Sequence, residues 1–330
     1  MALIVQKYGG TSVGTPERIR AVAARIAKAR VAGDDVVVVV SAMGHSTDEL
    51  IALAEKVSPQ ARTHLREMDM LLTAGERVAM ALTAMALRDL SVDCVSFTGS
   101  QAGIITDESH SSARIVEIRP TRVQEELARG KVVIVAGFQG VSRAKEITTL
   151  GRGGSDTTAV YLATALKAAR CEILTDVRGV FSADPRLVHD ARSYTELPLA
   201  AVLHMARHGA QVMHHRAMEH ALQHGMTLWV GHSVEAEAGT WLRPQVTSTL
   251  PPVLAVVSAE DCSCLTIIAR DEAAAAATAV ASHAVAGQLT PSGPLIKIPL
   301  SGDEKTCRAA LQSWHDALIA PQGPHRRYTP

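Results

Sequence analysis

One glycine-rich stretch of the chain has the residue types that could hold an anion. Residues 149–159 read TLGRGGSDTTA, so three glycines fall within four positions, and helix-favouring sequence follows. Glycine lets a backbone approach a ligand closely and adopt positive φ. The helix would turn its first N–H groups and the positive end of its dipole toward the loop, and Ser155 or Asp156 could cap it. Arg152 adds a planar fork suited to a carboxylate or a phosphate. We predict an anion site here; the alternative is a tight strand-to-helix turn with a surface arginine.

This stretch differs from the common nucleotide-binding motifs. Asp156 stands where a Rossmann fingerprint has its third glycine. The sequence contains no G-x-x-x-x-G-K-[ST] motif and no pair of H-R-D and D-F-G motifs. The P-loop, protein-kinase and dinucleotide-binding classes are therefore set aside.

A second glycine-containing stretch lies near the start of the chain. Residues 7–14 read KYGGTSVG, between a predicted strand at 2–6 and a predicted helix at 16–30. A strand, a glycine pair and a helix form another anion cradle. Lys7 would supply a point charge, with hydroxyls from Thr11 and Ser12. A phosphate-binding role is one interpretation, and an ordinary opening of an α/β protein is the other.

Two further segments could face the same ligands. Residues 35–40 read DVVVVV, which is typical of a central parallel strand, and small residues from Ser41 to Gly44 follow it. Ligands gather at the carboxyl ends of strands in open α/β sheets. A helix predicted at 65–90 contains Gly75, which costs about 1 kcal/mol relative to alanine. Close approach by a neighbour or a ligand would explain that glycine, and Glu76 could lie on the same face or be an ordinary solvated glutamate.

The elements that must position these residues alternate along the chain. Besides the strands above, residues 92–97, 132–136, 147–149, 171–175 and 227–230 are predicted to be strands, with helices between them. This alternation predicts an α/β fold with a mostly parallel sheet. We predict a catalytic domain at 1–242, a proline-bearing linker at 243–252, a small α+β module at 253–320 and a flexible tail at 321–330.

Composition narrows the class of protein further. Lys and Arg together number 33, as do Asp and Glu, which argues against nucleic acid as a partner. The sequence contains no apolar run of about 18 residues, so we expect no membrane span, and the N-terminal apolar run is too short for a signal peptide. Five scattered cysteines suggest reduced thiols and a cytoplasmic setting. His204 and His208 are spaced for one helix face, but no third ligand is evident, so no metal ligand is assigned.

Taken together, the motifs resemble those of the aspartate kinases of the amino-acid kinase family. The matching segments are 7–14, 39–44, 72–77, 97–104, 137–140, 148–156 and 175–186, and the likeness covers roughly residues 2–242. Seven motifs in order make a chance match very improbable. The resemblance implies an amino-acid kinase fold: an open sheet sandwiched by helices in three layers, over whose strand ends ATP and an acidic amino acid meet, with Mg²⁺ held mainly by phosphate oxygens and water. It also implies an ACT-like C-terminal module and a homodimer or higher homo-oligomer.

The resemblance implies roles for particular residues. The expected catalytic residues are Lys7, Gly10 and Asp156. The expected substrate-binding residues are Ser41, Thr47, Glu76, Phe138, Arg152 and Ser155. The nucleotide is expected to contact Lys7, Gly9, Gly10, Thr11, Ser12, Gly153, Gly154, Thr175, Asp176, Phe181, Asp184 and Arg186. Arg152 would bind a substrate carboxylate and Glu76 the substrate ammonium, while Asp156 could either orient Lys7 or meet that ammonium.

Three departures from the family pattern bear on this expectation. Phe181 stands where tyrosine is frequent, and Gln211 replaces a lysine that can point at the nucleotide phosphates. Residues 228–233 lack two usual arginines. The short C-terminal region has room for one ACT-like unit, so feedback inhibition by lysine or threonine is doubtful. The alternatives are a kinase for another amino-acid carboxylate and a catalytically weak amino-acid-binding regulatory protein.

Overall fold

The computed structural model describes residues 2–235, 239–246, 250–286, 291–300 and 304–319. The predicted tail at 321–330 and residues 247–249 of the predicted linker lie outside this range. Compact packing divides the chain into two units. The first comprises Met1–Arg178 and Arg216–Ala238, and the second comprises Gly179–His215 and Gly239–Pro330. The predicted domain boundaries at 242 and 253 stay a prediction.

Helices and strands alternate along most of the chain. The helices are α1 (Pro16–Val31), α2 (Ser46–Val57), α3 (Leu65–Asp89), α4 (Thr121–Ala128), α5 (Gly154–Ala165), α6 (Leu199–Arg207), α7 (His215–Gln223), α8 (Glu272–Ala286) and α9 (Glu304–Leu318). The strands are β1 (Leu3–Tyr8), β2 (Asp35–Val40), β3 (Cys94–Phe97), β4 (Ile104–Thr106), β5 (Ile115–Ile118), β6 (Val132–Ala136), β7 (Gln139–Ser142), β8 (Ile147–Thr149), β9 (Arg170–Thr175), β10 (Glu196–Pro198), β11 (Leu228–His232), β12 (Gly239–Arg243), β13 (Val253–Ser258), β14 (Cys264–Ala269), β15 (Pro291–Ser292) and β16 (Leu295–Pro299).

The first unit is built on a parallel sheet with the strand order β11-β9-β1-β2-β6-β3. Tyr8 pairs with Val40 on one side and with Leu174 on the other, so β1, β2 and β9 end at one edge. Every residue of β2 from Val36 onward is buried, because α1 and α3 pack on one face of the sheet and α5 packs on the other. The predicted three-layer α/β fold is confirmed.

A smaller mixed sheet completes the first unit, with the order β5-β4-β7-β8. Strand β4 is antiparallel to β5 and parallel to β7, and β7 is antiparallel to β8. The residues at the end of β8 lead directly into the glycine-rich stretch, so this sheet delivers that stretch to the strand ends.

The second unit contains an antiparallel sheet with the order β13-β14-β16-β15. Helix α9 packs on β13, and α8 packs on β14, β15 and β16. This arrangement fits the predicted ACT-like module. Its core also takes Ala183, Val188 and Ala191 from the segment before β10, and β10 pairs in parallel with β12 within the same unit.

Helix α3 is the one described helix that is long and apolar enough to cross a membrane by length and composition. Two acidic residues on it, Asp69 and Glu76, are buried against the rest of the first unit. Because α3 packs on β2, β3 and β6, we interpret it as a core helix of the parallel-sheet unit.

Two local predictions need correction. The helix after the glycine-rich stretch begins at Gly154, and its N-cap is Gly153 with a φ of 68° and no side-chain cap, so the predicted cap at Ser155 or Asp156 was wrong. Strands β4, β5, β7, β10, β12 and β15 were not predicted, and each of them spans only two to five residues. Such short strands carry too little apolar alternation to be recognised.

Candidate active site

An open cleft of about 700 Å³ lies in the first unit beside the ends of β1 and β2. Its walls come from the end of β1 with the turn that follows it, the loop after β2, the start of α2, helix α3, the turn before β7, and the loop after β8 with the start of α5. The lining residues are Lys7, Gly10, Ser41, Ala42, Gly44, Thr47, Glu76, Phe138, Gly151, Arg152, Gly153, Gly154, Ser155 and Asp156. The cleft therefore gathers the glycine-rich stretch, the Lys7 segment, the small-residue loop and Glu76.

Lys7 and Asp156 form an ion pair in the cleft. Lys7 Nζ lies 2.6 Å from Asp156 Oδ1, and each side chain is only 12% exposed. Asp156 lies in the first turn of α5, where a negative charge also interacts favourably with the helix dipole. Of the two roles left open for Asp156, this geometry favours orienting Lys7.

The loop after β2 packs directly onto the Lys7 segment. Gly44 N–H donates to the Gly10 carbonyl over 3.0 Å. A Cβ atom on Gly10 would lie 2.9 Å from the Ala42 carbonyl oxygen, a distance that real Cβ atoms essentially never show. Glycine at position 10 thus allows these two segments to meet and form one wall of the cleft.

Gly75 brings α3 close to the same loop. A Cβ atom at this position would lie 2.9 Å from the Ala42 Cβ atom. The predicted close approach is thus made by a protein neighbour. It lets Ala42 N–H donate to Glu76 Oε1 over 3.3 Å.

Glu76 is a buried carboxyl group on the cleft wall. It is 3% exposed, and burial raises its pKa to about 7 despite the backbone hydrogen bonds, which lower it. Within the described residues, Glu76 Oε2 has no hydrogen-bond partner. A buried acceptor without a donor is costly, so this oxygen is suited to a cationic ligand group.

The glycine-rich stretch forms the opposite wall. Gly151 and Gly153 adopt φ values of 73° and 68°, which strain any residue with a side chain. Gly154 fits against Phe138, whose ring would lie 2.8 Å from a Cβ atom there. Arg152 projects between these glycines and is exposed, so its guanidinium is accessible to a ligand.

Several predicted nucleotide-binding residues lie outside this cleft lining. Gly9 N–H donates to the Leu174 carbonyl over 3.1 Å, and so does the buried Ser12 hydroxyl over 3.4 Å. These two donors are therefore already used within the protein. Thr11 is exposed beside the cleft. At the end of β9, the Thr175 hydroxyl donates to Asp176 Oδ1 over 2.9 Å.

The remaining predicted nucleotide residues belong to the second unit. Phe181 packs against that unit's core. Asp184 and Arg186 form an ion pair of 2.6 Å, and both line a cavity of about 640 Å³ together with Gln211. Gln211, where the family often has a lysine, thus lines the same cavity as Asp184 and Arg186, which are both expected near the nucleotide.

No cluster of three or more potential metal ligands occurs within the part of the chain that the structure describes. His208 Nδ1 lies 2.8 Å from the His204 carbonyl oxygen, so this ring makes a contact within its own chain segment.

Three cleft-lining residues were not among the predicted site residues: Ala42, Gly44 and Gly151. Each contributes backbone or a small side chain and no ionisable group. The signal that could have found them is the run of small residues after a buried strand, which lets the backbone approach a ligand.

Comparison with known proteins identifies similar chains. A family model described as "Amino acid kinase family" matches residues 2–232. The aspartokinase of Bacillus sp. (strain MGA3) is 52% identical over 79% of this chain and 63% of its own length. The aspartokinase of Mycobacterium bovis is 54% identical over 73% of this chain and 57% of its own length. The chain therefore spans about three fifths of the length of these curated relatives.

Solved structures resemble the chain over nearly all of its length. Aspartate kinase from Synechocystis is 39% identical with a TM-score of 0.66, covering 96% of this chain and 56% of that one. E. coli aspartokinase III in complex with aspartate and ADP has a TM-score of 0.69 over 96% of this chain and 83% of that one. At 24% identity, this second likeness shows the fold alone.

Proposed function

Since the chain belongs to the amino acid kinase family, we propose that it phosphorylates the side-chain carboxylate of L-aspartate with ATP to give 4-phospho-L-aspartate. The observation that carries this proposal is the pairing of opposite charges across one cleft. Glu76 offers a buried oxygen without a described partner, and Arg152 offers an accessible guanidinium. An amino acid has an ammonium for the first and a carboxylate for the second. The relatives named aspartokinase support aspartate as the acceptor.

The reaction requires the protein mainly to position the two substrates and to stabilise the charge on the transferring phosphoryl group. The side-chain carboxylate of aspartate ordinarily has a pKa of about 3.9, so it is already ionised at neutral pH and needs no general base. Arg152 and Glu76 hold the amino-acid end, while Ser41 and Thr47 donate hydrogen bonds. In this orientation the side-chain carboxylate of the bound aspartate is directed toward Lys7, whose Nζ lies 2.6 Å from Asp156 Oδ1.

Lys7 carries the electrostatic part of the mechanism. Charge on the transferring phosphoryl group is spread over its oxygens in the transition state, so a fixed cation near them lowers the barrier. Asp156 holds the Lys7 ammonium group in place before the reaction. Lys7 therefore needs little reorganisation when the transition state forms. Gly10 lets the backbone come close to the phosphates. Mg²⁺ would neutralise phosphate charge when bound, and we assign it no protein ligand.

We propose nucleotide contacts at Gly153, Gly154, Thr175 and Asp176 of the first unit. For Phe181, Asp184 and Arg186, a nucleotide-binding role stays a prediction from the family resemblance. Gln211 provides an amide in place of a lysine cation, so we expect weaker phosphate binding than a lysine would give.

The assay is ATP- and Mg²⁺-dependent phosphorylation of L-aspartate, with the acyl phosphate trapped by hydroxylamine. We expect hydroxamate from the wild type and a loss of roughly 100-fold or more in kcat/KM for Arg152→Ala, because a charge-assisted bidentate contact is removed. Arg143→Ala is the matched control, since Arg143 is exposed and does not line the cleft. Equal activity of both variants would contradict the assigned role of Arg152.

An acceptor panel separates the proposal from its alternatives. Turnover with another acidic amino acid but not with aspartate would favour a kinase for that carboxylate, which Gln211 and residues 228–233 motivate. Amino-acid binding without turnover of any acceptor would favour a regulatory protein.

The proposal includes a homo-oligomer in the cytoplasm. Val78, Leu82 and Met85 lie at helical spacing on α3 and are 52%, 38% and 61% exposed, which supports packing against a second copy. The free thiols of the five cysteines are consistent with a reducing compartment. Light scattering after gel filtration measures the oligomeric state directly.

A further inference from the structure

A buried carboxylate outside the cleft connects three segments of the first unit. Asp69 is fully buried on α3, seven residues before Glu76. Its Oδ1 accepts from the Thr149 hydroxyl over 2.5 Å and from Ser111 N–H over 3.0 Å. Its Oδ2 accepts from Ser111 N–H over 3.1 Å and lies 2.7 Å from His110 Nδ1. None of these residues lines the cleft, so the proposed chemistry does not use them directly.

The partners of Asp69 immediately adjoin the arginine loop, which we define as residues 150–153. Thr149 is the last residue of β8 and precedes this loop. Its carbonyl accepts from Ala113 N–H over 2.9 Å, so the segment around Ser111 lies alongside it. A Cβ atom on Gly151 would lie 3.1 Å from the Ser111 carbonyl oxygen, so the same segment also packs against the loop.

A second contact joins the same sheet to α3. The buried Gln139 side chain on β7 donates to the Thr73 carbonyl over 3.2 Å. Helix α3 therefore holds both β7 and β8 by polar contacts. A buried carboxylate with several donors is strongly localised, because losing a partner would leave an uncompensated polar group.

We propose that Asp69 is a positioning residue that sets the arginine loop, and with it Arg152, relative to Glu76. Asp69 and Glu76 share one rigid helix, so the same element that presents Glu76 also fixes the base of the loop carrying Arg152. The distance between the two amino-acid-binding groups is thereby set by α3. The inference rests on the proposed function for its kinetic consequence, but its structural consequence is independent of that function.

Two variants test this inference. Asp69→Asn replaces an acceptor oxygen with a donor amide that faces other donors. Thr149→Val removes one hydroxyl while keeping the side-chain shape, and it serves if the first variant folds poorly. For both we expect faster amide hydrogen exchange in residues 149–154. We also expect the KM for L-aspartate to rise by roughly 10-fold or more, with the KM for ATP changed less than about twofold, since misplaced binding groups act on the acceptor.

Two controls accompany them. Thr149→Ser retains the hydroxyl and is expected to restore wild-type exchange and a KM near the wild-type value. Asp89→Asn alters an exposed carboxylate on the same helix and is expected to change neither quantity. A merely structural role would lower stability without separating the two KM values.

Each outcome decides the inference. Unchanged exchange in residues 149–154, equal shifts of both KM values, or a Thr149→Ser variant as impaired as Thr149→Val would overturn it. A wild type inactive on aspartate would defeat the proposed function, and the exchange measurement alone would then decide the role of Asp69.

Discussion

Glu76 shows how burial changes the chemistry of a single residue. A solvated glutamate would be fully ionised at neutral pH, whereas burial raises the pKa of Glu76 to about 7. In the unliganded protein the carboxyl group is thus near its midpoint under physiological conditions. Under the proposed function, a substrate ammonium would favour the ionised form, so binding of the acceptor and ionisation of Glu76 would be linked.

The sign of the resulting pH dependence is fixed by this shift. The native state binds a proton that the unfolded state releases between about pH 4.5 and pH 7. The stability contributed by the raised pKa is therefore present below about pH 4.5 and lost as pH rises through 7. As pH rises from 5 to 8, we expect the free energy of unfolding of the wild type to fall by about 2 kcal/mol relative to that of Glu76→Gln, which has no carboxyl group to ionise at this position. Urea unfolding of both proteins at the two pH values measures this difference.

The same substitution should weaken acceptor binding. The KM for L-aspartate is expected to rise by roughly 100-fold in Glu76→Gln, because a charged hydrogen bond to the ammonium is lost. In the wild type this KM should increase as pH falls below about 7. A KM that is flat from pH 6 to pH 9, or stability profiles that stay parallel, would show that Glu76 does not titrate in this way.

At the residue scale, the sequence indicated which residues lie in the cleft better than it indicated what each of them contacts. Lys7, Glu76, Arg152 and Asp156 all lie in one cleft, as their motifs indicated. The predicted cap failed because Asp156 pairs with Lys7 and Ser155 packs against Gly137, whose Cβ would lie 2.7 Å from Ser155 Oγ. Both side chains are used by tertiary contacts that no local pattern reveals.

At the element scale, the contact between α3 and the loop after β2 shapes the part of the cleft wall that carries Glu76. Gly75→Ala sets two effects against each other. Alanine favours the helix by about 1 kcal/mol, but its Cβ would lie 2.9 Å from Ala42 Cβ. Since the loop must shift to relieve this contact, the hydrogen bond from Ala42 to Glu76 lengthens.

We therefore expect Gly75→Ala to alter activity more than stability. The KM for L-aspartate should rise roughly fivefold or more, while the melting temperature stays within about 3 °C of wild type because the two effects offset. Ala74→Gly is the matched control on the neighbouring exposed position: it should destabilise by about 1 kcal/mol without a change in KM. A loss of stability in Gly75→Ala at constant KM would contradict the assigned role of this contact.

Elements with continuous apolar runs were the most predictable. Residues 35–40 and 132–136 form strands with the predicted bounds, since continuous apolar runs leave little ambiguity. The mixed sheet β5-β4-β7-β8 was not predicted. Its strands are short and its pairing depends on contacts with α3, such as the one from Gln139 to Thr73.

At the scale of the whole molecule, each compact unit combines two segments that are separate in the sequence. Residues 179–215 include most of the last kinase-like motif, 175–186, yet they belong to the second unit. Val188 packs in one core with Val256 and Leu265. Ser182 Oγ lies 2.8 Å from His315 Nε2, and Ser182 also accepts from Val256 N–H over 2.9 Å through its carbonyl. A composition shift at a proline-bearing linker reveals none of these long-range contacts.

These contacts predict that the structure of residues 179–215 depends on the C-terminal module. A chain shortened to residues 1–242 would lose the partners of Val188 and Ser182, both fully buried. We expect residues 179–215 to become sensitive to limited proteolysis. If Asp184 and Arg186 on this segment bind the nucleotide as predicted, the KM for ATP should also rise roughly 10-fold or more.

Point variants of the full chain separate this effect from truncation itself. Val256→Ala should destabilise by roughly 2 kcal/mol and raise the KM for ATP in the same direction, because a buried valine contact is lost. Val116→Ala is the control, since Val116 belongs to the first unit and is 51% exposed. If the shortened chain kept wild-type protease resistance across 179–215 and a wild-type KM for ATP, the segment would have its own stability. The sequence-based boundary at 242 would then describe the catalytic domain better than the compact units do.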